Sequence, residues 1–208
     1  IIDLIGCKLR FLNKFFAFAH FAYNVLSNSG GDTMPRFGYF WGIGGVLLIL
    51  MFAIYRLAPM ALALLDTPLR GLHWASLIFS IIYMAYAEGY KGFHLSFAPR
   101  VVTRATYLTQ NPKFMHIVLA PLFCMGYIHA TRRRQVISFG LAIMIIGFVL
   151  LVRLLPQPWR GILDAGVVIG LTMGCVSILY FIYRSAYNPG EISVSADIPD
   201  YDDKLEST

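Results

Sequence analysis

The sequence predicts an all-α, polytopic transmembrane bundle of about five helices with one interfacial amphipathic helix. Composition is the first reason: 58% of residues are hydrophobic and 13% charged, with a mean hydropathy of +0.65, whereas a soluble domain is roughly half apolar and about a quarter charged. The second is five runs without a charge, Phe37 to Tyr55, Gly71 to Ala87, Phe114 to Ala130, Gln135 to Val152 and Ala165 to Tyr183, of 17 to 19 residues each. A helix needs about 17–25 residues to cross a hydrocarbon layer of about 30 Å, and continuous apolar runs suit helices because lipid offers the backbone no hydrogen bonds. The third is that Trp41, Trp74, Trp159 and several tyrosines fall at or near the run ends, as in aromatic interface belts.

The connections follow from proline and charge. Pro59 and Pro68 interrupt the first, Pro112 precedes the third run, and Pro156 and Pro158 separate the fourth from the fifth. The third and fourth runs are joined by little more than Thr131, Arg132, Arg133 and Arg134, which predicts an antiparallel hairpin. Within the long second connection, Pro99 to Gln110 reads as the interfacial helix. Pro99 suits a first helical position, Val101, Ala105 and Leu108 share one face, and Arg100 and Arg104 share another, facing phosphates.

Three units result. Residues 34–187 are the transmembrane bundle. Residues 188–208, with six acids against Lys204, are an acidic tail too polar to bury and read as disordered. Residues 1–33 precede the bundle and contain no methionine, Met34 being the first. They are read as an upstream extension or interfacial helix, with a signal peptide (Lys8, Arg10, Lys14, then Phe15 to Leu26) and a sixth span as the alternatives. The net charge of +6 becomes +11 once the tail is set aside. Bases scattered between apolar spans point to anionic lipid headgroups and not to nucleic acid. With five crossings the bases divide almost evenly between the two faces, so the positive-inside rule leaves the orientation open.

Gly166, Gly170 and Gly174 recur every fourth residue of the fifth run, a helix-packing face that admits a close neighbour from the same chain or from an oligomer. Gly38 with Gly42, and Gly140 with Gly147, are the expected partner grooves. The one polar cluster that could carry chemistry lies on the face where the first run begins, called side A. It comprises Glu88, Lys91, His94, Arg100, Arg104 and His116 from the second connection, with Arg153, Arg160 and Asp164 from the fourth. Such a mixture could work on a lipid headgroup, but snorkelling bases paired with Glu88 and Asp164 are the favoured explanation, since no nucleophile stands beside a base.

No cofactor is expected. Cys7, Cys124 and Cys175 have no metal or disulfide spacing. On one straight helix His116 and His129 would be about 20 Å apart, too far to share a metal ion. An axial haem pair of His73 with His129 is the one geometry the histidines leave open.

Glu88-Gly-Tyr-Lys-Gly-Phe93, the Arg132 to Arg134 turn and Leu155-Pro-Gln-Pro-Trp-Arg-Gly161 resemble segments of small multipass bacterial membrane proteins that carry no assigned activity. The resemblance spans the bundle, implies a bacterial inner-membrane location, and carries over no catalytic residue. The expected function is a non-catalytic scaffold or accessory subunit. An enzyme acting on lipid headgroups is the alternative, and a small transporter is third, because no ionisable residue lies mid-way along any run.

Overall fold

A computed structural model describes residues 33–110 and 114–187. Expectations for residues 1–32, 111–113 and 188–208 lie outside them. The described residues contain helices and no strands. In chain order they are α1 (Thr33–Leu62), α2 (Gly71–Met84), a π segment (Ala85–Phe97), α3 (Ala98–Gln110), α4 (Phe114–Val118), α5 (Ala120–Cys124), α6 (Arg132–Arg153) and α7 (Trp159–Tyr187). Three stretches are long and apolar enough to cross a membrane: Phe37–Leu62, Arg132–Arg153 and Trp159–Tyr187.

The second apolar run is part of something longer. From Gly71 to Gln110 the chain is helical without interruption, because the residues at both junctions, Ala85 and Ala98, have α backbone angles. Charges at Glu88 and Lys91 end the apolar run but not the helix. Pro99 has no N–H, and its ring would meet the carbonyl of Leu95 in a regular α-helix. It lies where the wider π register returns to α, with Ala98 N–H donating to the Phe93 carbonyl, a common setting for such a register change.

This corrects the interfacial helix. The apolar face of α3 is the predicted one, but it is buried: Val101, Ala105 and Leu108 are 0% exposed and pack with Trp41, Val46, Phe123 and Ile178 in the main core. Arg104, expected among phosphates, is 2% exposed.

The third predicted span is also corrected. Phe114 to Ala130 contains two five-residue helices and then a turn, in which Gly126 (φ 83°) and His129 (φ 50°) take left-handed backbone angles. Pro121, in the first turn of α5, suits a helix start and not a helix middle. These short helices pack on α1 and α3, with Gly42 admitting Cys124 and Ala120, and Gly38 admitting Leu108 and Ile117. The expected hairpin with α6 is therefore replaced by the 125–127 turn resting on the first turns of α6, through Tyr127 against Phe139 and Ser138 Oγ donating to the Met125 carbonyl.

Helix directions follow from the contacts. The start of α1 lies by α3, as Gly38 by Leu108 shows, and its end lies by the start of α7, through Met60 with Arg160 and Leu64 with Gly161. Thus α1 is antiparallel to the 71–110 helix. Along α7, Gly166 meets Ser80 and Met84, Gly170 meets Glu88, and Gly174 meets Phe93. Both numbers rise together, so α7 runs parallel to α2 and the π segment, with its first turn beside that of α2 (His73 edge-on to Trp159, 5.3 Å). Helix α6 is set apart. Of its residues only Ser138 and Val152 are buried, and Gly140 and Gly147 have no neighbour within 4 Å of an added Cβ, so they are not grooves for α7.

Candidate functional site

Six of the nine residues expected to cluster on side A occupy three places; Lys91 and Arg153 lie outside them, and Arg100 stands in the first turn of α3. The first is the end of the bundle where α1 and α7 meet, the far end from side A. There Arg160 Nε lies 3.7 Å from Asp164 Oδ2, one helical turn along α7, and its Nη2 lies 2.8 Å from Met60 Sδ. Asp164 is 6% exposed. The parallel run of α7 puts this pair on the opposite face from the one expected, and Arg153, at the end of α6, stands on that face too.

The second place, on side A, centres on Arg104. Its Nε donates to the Phe123 carbonyl at 2.7 Å, and its Nη2 to those of Ile128 at 2.8 Å and His129 at 3.1 Å, with the guanidinium 4.5 Å from the Phe123 ring centroid. Breaking the helix frees these carbonyls, and a planar fork of donors on one rigid stem can reach all three at once. Around it the His116 ring stacks on Phe123 at 4.9 Å and lies 5.0 Å from that of His129. The histidines thought to be about 20 Å apart are neighbours because the segment turns back. The arrangement stabilises a fold-back: the guanidinium stands where a metal ion would meet repulsion. No group of three or more metal-ligating side chains occurs among the described residues. His73 has its own neighbours: its ring faces Trp159, and its Nδ1 accepts from the Arg70 N–H.

The third place is the seam between α7 and the π segment. The absence of side chains at Gly166, Gly170 and Gly174 lets the two helices close on each other. An added Cβ would stand 2.5 Å from Ser80 Oγ at Gly166, 2.8 Å from Glu88 Oε2 at Gly170 and 2.8 Å from the Phe93 ring at Gly174. This face is occupied by the chain's own helix. Ser80 Oγ donates to the Ile162 carbonyl at 3.2 Å. His94 Nδ1 and Ser177 Oγ share a hydrogen bond of 3.2 Å, and the ring is enclosed by Tyr90, Tyr180 and Phe181 at 5.2 to 5.7 Å. Glu88 Oε2 and Asp164 Oδ2 are both buried without a hydrogen-bond partner among the described residues, but Asp164 has Arg160 within ion-pair reach, whereas the partly exposed Glu88 has no ion pair among them. Lys91, on the same segment, turns outward and lies 5.1 Å from the Tyr86 ring centroid.

Sequence reasoning placed Glu88 at a water boundary because the apolar run ends at Ala87. It stands opposite Gly170, which is 11 residues or about 16 Å beyond Trp159 in α7, a helix long and apolar enough to cross a membrane. The signal that could have found it is the glycine face, which needs a close neighbour somewhere, together with Gly89 beside the acid.

Compared with known proteins, the chain matches no family model, no curated protein and no solved structure.

Proposed function

We propose that this chain is a non-catalytic accessory or scaffold subunit of a bacterial inner-membrane assembly, crossing the bilayer four times and binding a partner through α6. One observation carries the proposal: α6 spans 22 residues with residues as bulky as Val136 and Ile143 72% and 70% exposed, while its glycines stand open. Helices in lipid associate through close packing at small residues, and α6 offers such notches without using them inside its own chain. A headgroup enzyme would need its acids, bases and imidazoles together, and these are distributed over separate places.

The four crossings are α1, the 71–110 helix, α6 and α7, with residues 114–130 folded back on side A. This reading is supported by the parallel course of α7 and α2, which requires one net crossing between Gln110 and Trp159, and α6 supplies it. Both ends of the bundle then share side A. The bases now divide unevenly. Among the described residues Arg36, Arg100, Arg104, Arg132, Arg133, Arg134 and Arg184 fall on side A and Arg56, Arg70, Arg153 and Arg160 on side B, seven against four. Such a bias makes side A cytoplasmic, and its arginines meet anionic headgroups there.

The test is the mass of the protein–detergent particle after mild solubilisation. The wild type is expected as an oligomer or complex, and Gly140→Leu with Gly147→Leu is expected to dissociate it while leaving a folded monomer. A wild-type monomer removes the proposal.

A further inference from the structure

We propose that Glu88 is an exchangeable proton-binding site in the interior of the membrane, loaded from side A past His94 and Ser177. This goes beyond the subunit reading and rests on its membrane crossing by the 71–110 helix, not on a partner at α6.

The position is built for one carboxyl group. Gly170 is the residue that admits it, since a Cβ there would stand 2.8 Å from Oε2. Gly89, next in the chain, is buried against Met173, within 3.0 Å of the place its own Cβ would take, so the backbone beside the acid also packs closely on α7. The carboxylate's surroundings hold no compensation. The charged groups and imidazoles along the seam are Lys91 and His94 on its own segment and Arg160 and Asp164 on α7, and the titratable groups nearer to it in register are the phenols of Tyr86 and Tyr90 and the Cys175 thiol. None makes a hydrogen bond or ion pair with Glu88 among the described residues. Arg160 is engaged with Asp164 and Met60, and Lys91 turns outward over Tyr86.

An uncompensated negative charge in the middle of the hydrocarbon is costly, and acids found there mark proton or ion pathways. A proton is the ligand that neutralises the group in the space available: the carboxylate gains an O–H bond while the hydronium that supplies the proton gives up one of its own and leaves as water, and no further ligand is required. A metal or sodium ion would need several oxygen ligands around it, and no second carboxylate accompanies Glu88.

The seam also contains a route. His94 is six residues further along the same segment toward side A, with Nδ1 3.2 Å from Ser177 Oγ, and a neutral imidazole offers a donor at one ring nitrogen and an acceptor at the other. Toward the other face the next polar groups are Ser80, whose hydroxyl donates to Ile162, and the paired Asp164. Neither offers a free carrier. The π register runs from Ala85 to Phe97 and holds both Glu88 and His94. Such segments occur disproportionately at functional sites.

The experiment uses the full-length protein in sealed vesicles, with side A identified by protease access to the chain beyond Asn188. Dicyclohexylcarbodiimide adds to protonated carboxyls in apolar surroundings, and the adduct is located by mass spectrometry. Labelling is expected at Glu88, not at Asp164, and is expected to disappear in Glu88→Gln. It should fall when the medium on side A alone is made alkaline, stay unchanged when sodium replaces potassium at constant pH, and respond several-fold more slowly to the pH change in His94→Phe. An unlabelled Glu88 in the wild type overturns the site, and protection by sodium reassigns the ligand. Labelling indifferent to side A pH overturns the route, as does an unchanged response in His94→Phe. Failure of the subunit reading would instead appear in particle mass, which these measurements do not touch.

Discussion

Replacing Arg104 with methionine should be the most damaging single change on side A. The side chain is 2% exposed and donates to three carbonyls, those of Phe123, Ile128 and His129. Methionine keeps much of the stem and its packing on Phe123 but donates nothing. The Phe123 carbonyl keeps the Gly126 N–H at 3.0 Å, but those of Ile128 and His129 lose the guanidinium; each buried acceptor left unsatisfied costs about 1–3 kcal/mol, and water that reaches a headgroup-level site reduces that. The expected loss is about 3–5 kcal/mol, comparable with breaking a buried charged network. Arg104→Lys should recover only part of it, because a single ammonium cannot meet three carbonyls in a fixed fork. Reversible unfolding of the purified protein by sodium dodecyl sulfate measures the energies. Cys124, buried beneath the same segment, supplies a local readout by becoming reactive to maleimide in Arg104→Met under folding conditions. A stability change of less than about 0.5 kcal/mol, the size of an ordinary surface substitution, would refute the claim that this arginine holds the fold-back together.

Three further predictions concern the helix seams. Gly174→Leu would drive a side chain into the Phe93 ring and should cost about 1–3 kcal/mol or more, in the range of overpacked cores; Val168→Leu, on another face, should be close to neutral in the same unfolding assay. Gly140→Leu meets nothing within 4 Å, so the stability of the isolated chain should change by less than about 0.5 kcal/mol. Cys175, buried between α7 and the core, should remain unlabelled by maleimide in the folded protein and react on unfolding, which mass spectrometry detects.

The apolar runs made the long helices legible, since 17 or more uncharged residues leave the backbone few other ways to satisfy itself in lipid. They did not show where helices stop. The run ending at Ala87 continues as helix to Gln110, because Glu88 and Lys91 limit hydropathy and not backbone hydrogen bonding. The run from Phe114 to Ala130 breaks although it carries no charge, and the signals were Pro121 and Gly126, which hydropathy does not weigh. The pattern on α3 was read correctly and given the wrong destination: Val101, Ala105 and Leu108 form one apolar face whether it meets lipid or protein. What decides is the set of carbonyls freed by the broken segment, some 20 residues away in sequence. The side A cluster failed for the same reason. Residues 114–130 turn back on α1 and α3, so α7 runs parallel to α2, Arg160 and Asp164 lie at the other end of the bundle from Arg104, and Glu88 faces Gly170 along the seam.

Whether residues 114–130 cross the membrane tests the account most directly. Reporter fusions after Asn111 and after Arg133 are expected on the same side, the cytoplasmic one, together with a fusion after Asn188, while fusions after Arg70 and Gln157 are expected on the opposite side. Fusions after Asn111 and Arg133 on opposite sides, with the Asn188 fusion away from the cytoplasm, would restore five crossings and contradict the parallel packing of α7 on α2.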